Sequence, residues 1–466
     1  MMGEEYWSNY YNKYPSIFSF INIRKEKRGG FIFNPYLYTE KWLNEIEYQV
    51  LEIMDGFRSV LEIIFFISEF YGINQNDAKK IVLNALQEIS SYHAIIFSDK
   101  PKLKKSTNNL DIKEDINLGS DYYSAPLSVL WDLTYRCNMK CKHCLIGDPT
   151  SHTELDFNDI KKILLELKRM KVFNINFSGG EPLLREDLLD VLRSASDLNF
   201  GVRLSTNGLL LDQDYLKTLR DLEVYCLQIS LDGIGNTHDN FRGVRGAFEK
   251  SVESLRMASD MGFYTTMSTM IIKENVSEIG DILDLAVSLG VSSFKLNSFM
   301  PIGRGRSCKY DLAITKQESR NLAAELILKK KQYHDKINIQ MDALFPWLLN
   351  SKNISENVMV KGLIPRKQLR CSAGNTTLVI SPDGTVYPCP YLTEFPIGNI
   401  LESSLYDIWN DNDGILGKFR KMDQGMLKGK CSNCRFVPKF CNGGCRAAAF
   451  IVNGDFYGED PFCWKD

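Results

Sequence analysis

The sequence predicts an α/β protein: a parallel sheet closed or partly closed into a six-stranded barrel, preceded by a small α+β domain and followed by an irregular, cysteine-rich one. Three observations carry this. From Leu127 onward, short apolar runs alternate with amphipathic segments, as strands joined by helical crossovers do. Residues 99–122 break the composition, with Lys100, Lys102, Lys104 and Lys105 followed by Ser, Thr, Asn and Asp and few large apolar side chains. Seven of the twelve cysteines fall within residues 371–466.

The first 98 residues read as a domain of their own. Ile21 to Lys25 and Phe31 to Asn34 flank a charged turn ending in Gly29-Gly30, a hairpin signal. Three helices are expected next. One runs from Asn44 to Met54; the second opens with the capping box Ser59-Val60-Leu61-Glu62 and ends at Gly72; the third spans Asp77 to Tyr92,. Ile95 to Phe97 then reads as a closing strand. This outline is also that of a winged helix. Ten Lys and Arg stand against thirteen Asp and Glu in residues 1–100, a balance that argues against phosphate contacts. The basic cluster Arg24-Lys25-Lys27-Arg28 is expected to be a solvated turn, with an acidic peptide segment as the alternative partner.

Residues 99–122 are expected to be a linker. The barrel is expected over 123–310, with strands at Leu127 to Leu133, Asn174 to Ser178, Val202 to Thr206, Tyr225 to Leu231, Tyr264 to Ile271 and Ser293 to Ser298, and helices such as Asp159 to Met170 and Phe248 to Met261. In such sheets the ligand site lies at the carboxyl ends of the strands. Residues 311–370 read as a helical, basic bridge.

The whole chain has 466 residues, 44% of them hydrophobic and 24% charged, with a formal net charge of −2. No global field attracts nucleic acid or an anionic membrane. The N-terminus lacks a basic and apolar signal pattern, and the most apolar stretch, Val60 to Phe70, contains Glu62 and Glu69 and is too short to span a bilayer,. A reducing cytosol is therefore expected, where clustered thiols serve as metal ligands rather than disulfides.

The first expected barrel strand runs into Cys137-Asn138-Met139-Lys140-Cys141-Lys142-His143-Cys144. A four-iron cubane needs four thiolates, so a three-cysteine loop leaves one iron open to a small molecule. A zinc knuckle is the competing reading, with His143 the sole nearby fourth ligand. The CxxxCxxC spacing resembles the radical SAM enzymes, whose open iron chelates S-adenosylmethionine (SAM) and whose cluster supplies the electron that releases a 5'-deoxyadenosyl radical. That resemblance implies a [4Fe–4S] cluster on Cys137, Cys141 and Cys144. It extends to Gly179-Gly180-Glu181 after the second strand, where the family holds the methionine amino group; the two glycines would let the backbone approach the ligand. Ser205 and Asn207 after the third strand, and Ser230 and Asp232 after the fourth, coincide with the family's contacts to ribose and methionine carboxylate. By spacing alone, these last two pairs also read as Asx turns. Arg242 is the implied carboxylate partner, with Arg245 close by. His143 is expected to be a packing surface.

The C-terminal cysteines run Cys371, Cys389, Cys431-x2-Cys434-x6-Cys441-x3-Cys445 and Cys463. By spacing alone, two structural zinc sites fit CxxC units. The order resembles the SPASM extension, which carries two auxiliary four-iron clusters, here over residues 371–466. The resemblance assigns Cys371, Cys389 and Cys445 to one cluster and Cys431, Cys434, Cys441 and Cys463 to the other, leaving the first a ligand short. Cys226 is expected in the core; Cys308 has no assigned role.

The N-terminal domain resembles the peptide-recognition domain related to the chaperone of pyrroloquinoline quinone biosynthesis. In that family a leader peptide pairs with an edge strand against the third helix; here the implied edge is Phe31 to Asn34 and the implied helix face Ala78 to Tyr92. Together the three parts resemble radical SAM maturases of ribosomally made peptides, most of all those that form cysteine thioethers. The implied partners are a precursor peptide and an external electron donor such as flavodoxin or ferredoxin, with neither nucleic acid nor membrane. Carbon–carbon crosslinking or epimerisation of a peptide, anaerobic sulfatase maturation and an iron–sulfur DNA-binding sensor are the alternatives. Pro390 stands where sulfatase-maturing enzymes carry an Asp.

Overall fold

The computed structural model describes residues 4–36, 39–102, 122–147, 153–341, 369, 371–438 and 441–465. Most of the expected linker and the second half of the expected bridge lie outside them. The chain divides into two compact units. One runs to Ala125 and includes Leu167–Phe173; the other holds the barrel and everything C-terminal to it that is described.

In the first unit, β1 (Tyr14–Ile17), β2 (Asn22–Glu26), β3 (Gly29–Asn34), β4 (Thr39–Asn44) and β5 (Ile95–Ser98) form two antiparallel sheets, β1-β5 and β2-β3-β4. Three helices follow β4, at Glu45–Ile53, Val60–Tyr71 and Gln75–Ser90. Ser59 caps the second with a full capping box and Gly72 ends it in the left-handed conformation, as the sequence leads one to expect; Asn44 caps the first with a full capping box as well. Two expectations are overturned. Phe31 to Asn34 is no edge: β3 pairs on both sides and is buried along its whole length, because β4 supplies the second neighbour. The edges of this sheet are β2 and β4. Arg24 is not solvated either. Fully buried, it pairs with Glu26 at 2.8 Å, donates to the Lys171 carbonyl at 3.1 Å and lies over the Phe173 ring at 5.0 Å. Glu26 accepts from the Ser124 N–H at 2.9 Å and its hydroxyl at 3.0 Å, so the pair keeps the hydrogen bonds that burial of charge requires.

The second unit is built on a ten-stranded sheet. β6 (Ser128–Thr134), β7 (Asn174–Gly179), β8 (Gly201–Thr206), β9 (Cys226–Ser230), β10 (Tyr264–Ile271) and β11 (Ser293–Ser298) are the six expected strands; β12 (Asn338–Gln340), β13 (Thr377–Ile380), β14 (Thr385–Tyr387) and β15 (Gly398–Asn399) extend them. The order is β12-β11-β10-β9-β8-β7-β6-β13-β14-β15. β6 to β12 are parallel neighbours, β13 joins parallel to β6, and β14 and β15 are antiparallel. Helices Phe157–Arg169, Leu188–Asp197, Gln213–Asp221, Ala247–Asp260 and Ile279–Ser288 make the crossovers, giving a partial barrel.

Strand alternation sorts the side chains. Val129, Trp131, Ile175, Phe177, Val202, Leu204, Leu227, Ile229, Phe294 and Leu296 are buried, on the face the helices cover. The other face is polar: Asp132, Asn176, Ser178, Arg203, Ser205, Gln228, Ser230, Lys295 and Asn297 are half-buried. An interior lined this way is made for a polar ligand rather than for packing.

Candidate functional site

The loop after β6 carries Cys137, Cys141 and Cys144, which gather around Met139 and Ala247. Its position is set by three neighbours. First, the turn after β7 abuts it: Gly180 N–H donates to Thr134 O and Glu181 N–H to Arg136 O, each at 2.8 Å. Side chains on Gly179, at φ +134°, or on Gly180 would run into the carbonyl oxygens of Thr134 and Arg136. The glycines thus admit the cysteine-bearing chain itself. Second, Asn207 Nδ2 donates to Asn138 Oδ1 at 2.7 Å. Third, the helix Asn236–Arg242 delivers carbonyls of Phe241 and Arg242 to Lys142 N–H at 3.0 Å and Lys140 N–H at 3.2 Å.

Glu181 is fully buried. Burial pushes its pKa up to about 7, against the opposing N–H of Asn207 and hydroxyl of Thr206. Those donors reach it at 2.8 Å each, and Leu183 N–H at 3.1 Å. Its carboxylate thereby brackets the ends of β7 and β8.

Asp232 and Arg242 find each other. Arg242 Nε lies 2.6 Å from Asp232 Oδ2, while Oδ1 accepts from Met270 N–H at 2.7 Å. Arg242 Nη1 points at Cys141 Sγ, 3.6 Å away. Although burial works against ionisation of Asp232, the Arg242 guanidinium holds its carboxyl below the usual range. Asp232 and Arg242 thus form a buried pair that props the cysteine loop. Arg245 is exposed. Ser205 donates to Asn176 at 3.0 Å, and both it and Ser230 are half-buried at strand ends.

His143 stacks on Phe241, centroids 4.6 Å apart and planes 6° apart, and burial drives its pKa down to about 4, so it is a neutral packing surface. Several contacts are not foreseen from the sequence. His238, neutral because burial lowers its pKa to about 4, accepts from Asp232 N–H at Nδ1, 2.9 Å. Asn275 Nδ2 donates to the Asp232 carbonyl at 2.8 Å, and Arg304 N–H donates to the Cys144 carbonyl at 3.0 Å. Nothing in local spacing links these to the cysteines.

In the C-terminal region Cys371, Cys389, Cys431, Cys434, Cys441 and Cys445 share one apolar cluster. Within it Cys389 is close enough to Cys445 and Cys371 for their charges to add to the burial that raises its pKa; likewise Cys463 is near Cys431. Burial pushes Cys441 up to about 11 and Cys445 up to about 12, yet both receive backbone N–H groups that favour the thiolate, from Gly443 and Gly444 and from Ala447 and Ala448. Asp460, missed by the sequence reading, accepts from Cys445 N–H at 2.7 Å. Buried thiols surrounded by N–H donors are the donor set an iron–sulfur cluster needs, where the metal supplies the charge that burial denies.

The radical SAM superfamily pattern matches residues 131–286, and that of the SPASM iron-sulfur cluster-binding domain matches 371–435. AdoMet-dependent heme synthase of Methanosarcina barkeri is 31% identical, over 73% of this chain and 97% of its own length. The chain belongs to the radical SAM superfamily. Among its relatives there, mycofactocin maturase MftC of Mycolicibacterium smegmatis is 32% identical, over 73% of this chain and 83% of that protein. Streptococcus suis SuiB bound to precursor peptide SuiA shares the fold, with a TM-score of 0.70 at 19% identity, covering 96% of this chain and 99% of SuiB. As a radical SAM enzyme with a SPASM domain, the protein uses SAM, a SAM-binding [4Fe–4S] cluster and auxiliary clusters. Bound to its cluster, SAM supplies the 5'-deoxyadenosyl radical; the chain's own residues anchor the loop and shape a polar interior around it. Among the described residues no helix is long and apolar enough to cross a membrane.

Proposed function

We propose that this radical SAM enzyme is a maturase of a ribosomally made precursor peptide and that it forms cysteine thioethers. One observation carries the reading. Likeness to peptide-bound SuiB takes in 96% of this chain, including an α+β unit that barrel chemistry does not require. In this reading the N-terminal unit holds the leader. With β3 enclosed, the pairing edge is β4, which faces the third helix through Lys41, paired with Glu88 and set over the Tyr92 ring at 5.7 Å. Cys137, Cys141 and Cys144 hold the SAM cluster; Cys371, Cys389 and Cys445, and Cys431, Cys434, Cys441 and Cys463, hold two auxiliary clusters. Glu181, Asn207, Asp232 and Arg242 support the SAM site from behind, and Ser205 and Ser230 face it. A flavodoxin or ferredoxin supplies electrons.

The test is mass spectrometry of the peptide encoded by a small reading frame beside the gene, after anaerobic incubation with reconstituted enzyme, SAM and reductant. Each thioether lightens the peptide by two hydrogens. An unchanged mass with an inverted stereocentre makes the enzyme an epimerase instead.

A further inference from the structure

Asp132 is an acidic residue of the barrel interior to which the SAM site as described gives no role. It sits on β6, level with Ser178 of β7, at the strand ends where ligands of such sheets collect. It is half-buried, and among the described residues no protein donor lies within hydrogen-bond distance of its carboxylate. Glu181 and Asp232, in contrast, are held by protein donors. Tyr135 lies within electrostatic reach of Asp132, and also of Tyr387 and Asp383 near the β13–β14 hairpin. Burial pushes the Asp132 pKa up to about 7, where a carboxylate exchanges protons readily near neutral pH.

Strand register locates it further. Tyr387 is level with Val379, and Val379 with Leu130. Because β14 runs antiparallel to β13, Cys389, two residues past Tyr387, leaves the sheet near the level of Ser128, while Cys137 leaves it beyond Thr134. Asp132 therefore stands between the two cysteine-bearing exits along the strand axis, on the face that looks into the barrel.

We propose that Asp132 is the proton acceptor of the reaction, its carboxylate receiving the cysteine thiol proton of the peptide as the thioether forms. This rests on the peptide-maturase reading. The step balances: the acceptor carbon's C–H bond breaks and its hydrogen atom goes to the 5'-deoxyadenosyl radical. The S–H bond breaks and its proton goes to Asp132. The C–S bond forms, and one electron leaves to an auxiliary iron–sulfur cluster.

Holoenzyme with SAM and no peptide, treated with a water-soluble carbodiimide and glycinamide at mildly acidic pH, should be amidated at Asp132 and not at Glu181 or Asp232, as read by peptide mass mapping. An unlabelled Asp132 marks a sealed residue, and labelling abolished by SAM marks a cofactor contact; either overturns the proposal. With the peptide encoded beside the gene, Asp132→Asn should slow product formation about 10²–10⁴-fold and raise the ratio of 5'-deoxyadenosine to product. It should also erase the acidic limb of the pH–rate profile, which Asp132→Glu restores. An acidic limb that persists in Asp132→Asn refutes the role. The labelling result does not depend on the peptide, so failure of the maturase reading and failure of Asp132 are distinguishable.

Discussion

Replacing Cys137, Cys141 and Cys144 together by alanine is expected to abolish SAM cleavage and to remove about a third of the iron, which in the reconstituted wild type should amount to about twelve atoms per chain, four for each of three clusters. The loss is complete because these thiols are gathered in one loop pinned by the turn after β7, by Asn207 and by the helix ending at Arg242, so no neighbouring cysteine can substitute. The remaining iron is retained because the other seven thiols of the assignment lie far along the chain, from Cys371 onward. Iron analysis with 5'-deoxyadenosine quantification checks both halves. A triple variant that still releases 5'-deoxyadenosine, or that loses all its iron, contradicts the assignment.

Asp232→Ala should rank among the most damaging single substitutions outside the cysteines. It strips Arg242 of its buried partner and Met270 N–H of its acceptor, leaving a guanidinium buried and uncompensated beside Cys141. Breaking such a pair costs about 3–5 kcal/mol. Denaturant unfolding of the reconstituted protein should show this loss, together with weaker retention of the SAM cluster. Stability within about 0.5 kcal/mol of wild type, the range of an ordinary surface change, would mean that the pair does not hold the loop.

The barrel was legible because alternation is written into its strands. Asn174-Ile175-Asn176-Phe177-Ser178 places apolar side chains on one face and polar ones on the other, and all six expected strands are present within a few residues of their expected limits. β1 and β4 were not legible. β1 contains Pro15 and depends on distant β5 for pairing; β4 reads Thr-Glu-Lys-Trp-Leu-Asn, with no two-residue rhythm. Missing β4 is what made β3 look like an edge. Arg24 sits beside Lys25 and Lys27 in sequence and shares their composition; only its neighbours in space, Glu26 and Phe173, distinguish it. The cysteines announced themselves by spacing, but the commitments of Glu181, Asp232 and Arg242 depend on partners 10 to 38 residues away, which no local pattern reveals.

The central claim is that the adenosyl radical takes its hydrogen from a peptide carbon. A precursor deuterated at the carbon that becomes sulfur-linked, incubated with enzyme and unlabelled SAM, should yield 5'-deoxyadenosine carrying one deuterium and a peptide that has lost it. Unlabelled 5'-deoxyadenosine formed alongside crosslinked peptide that keeps the deuterium would contradict the account.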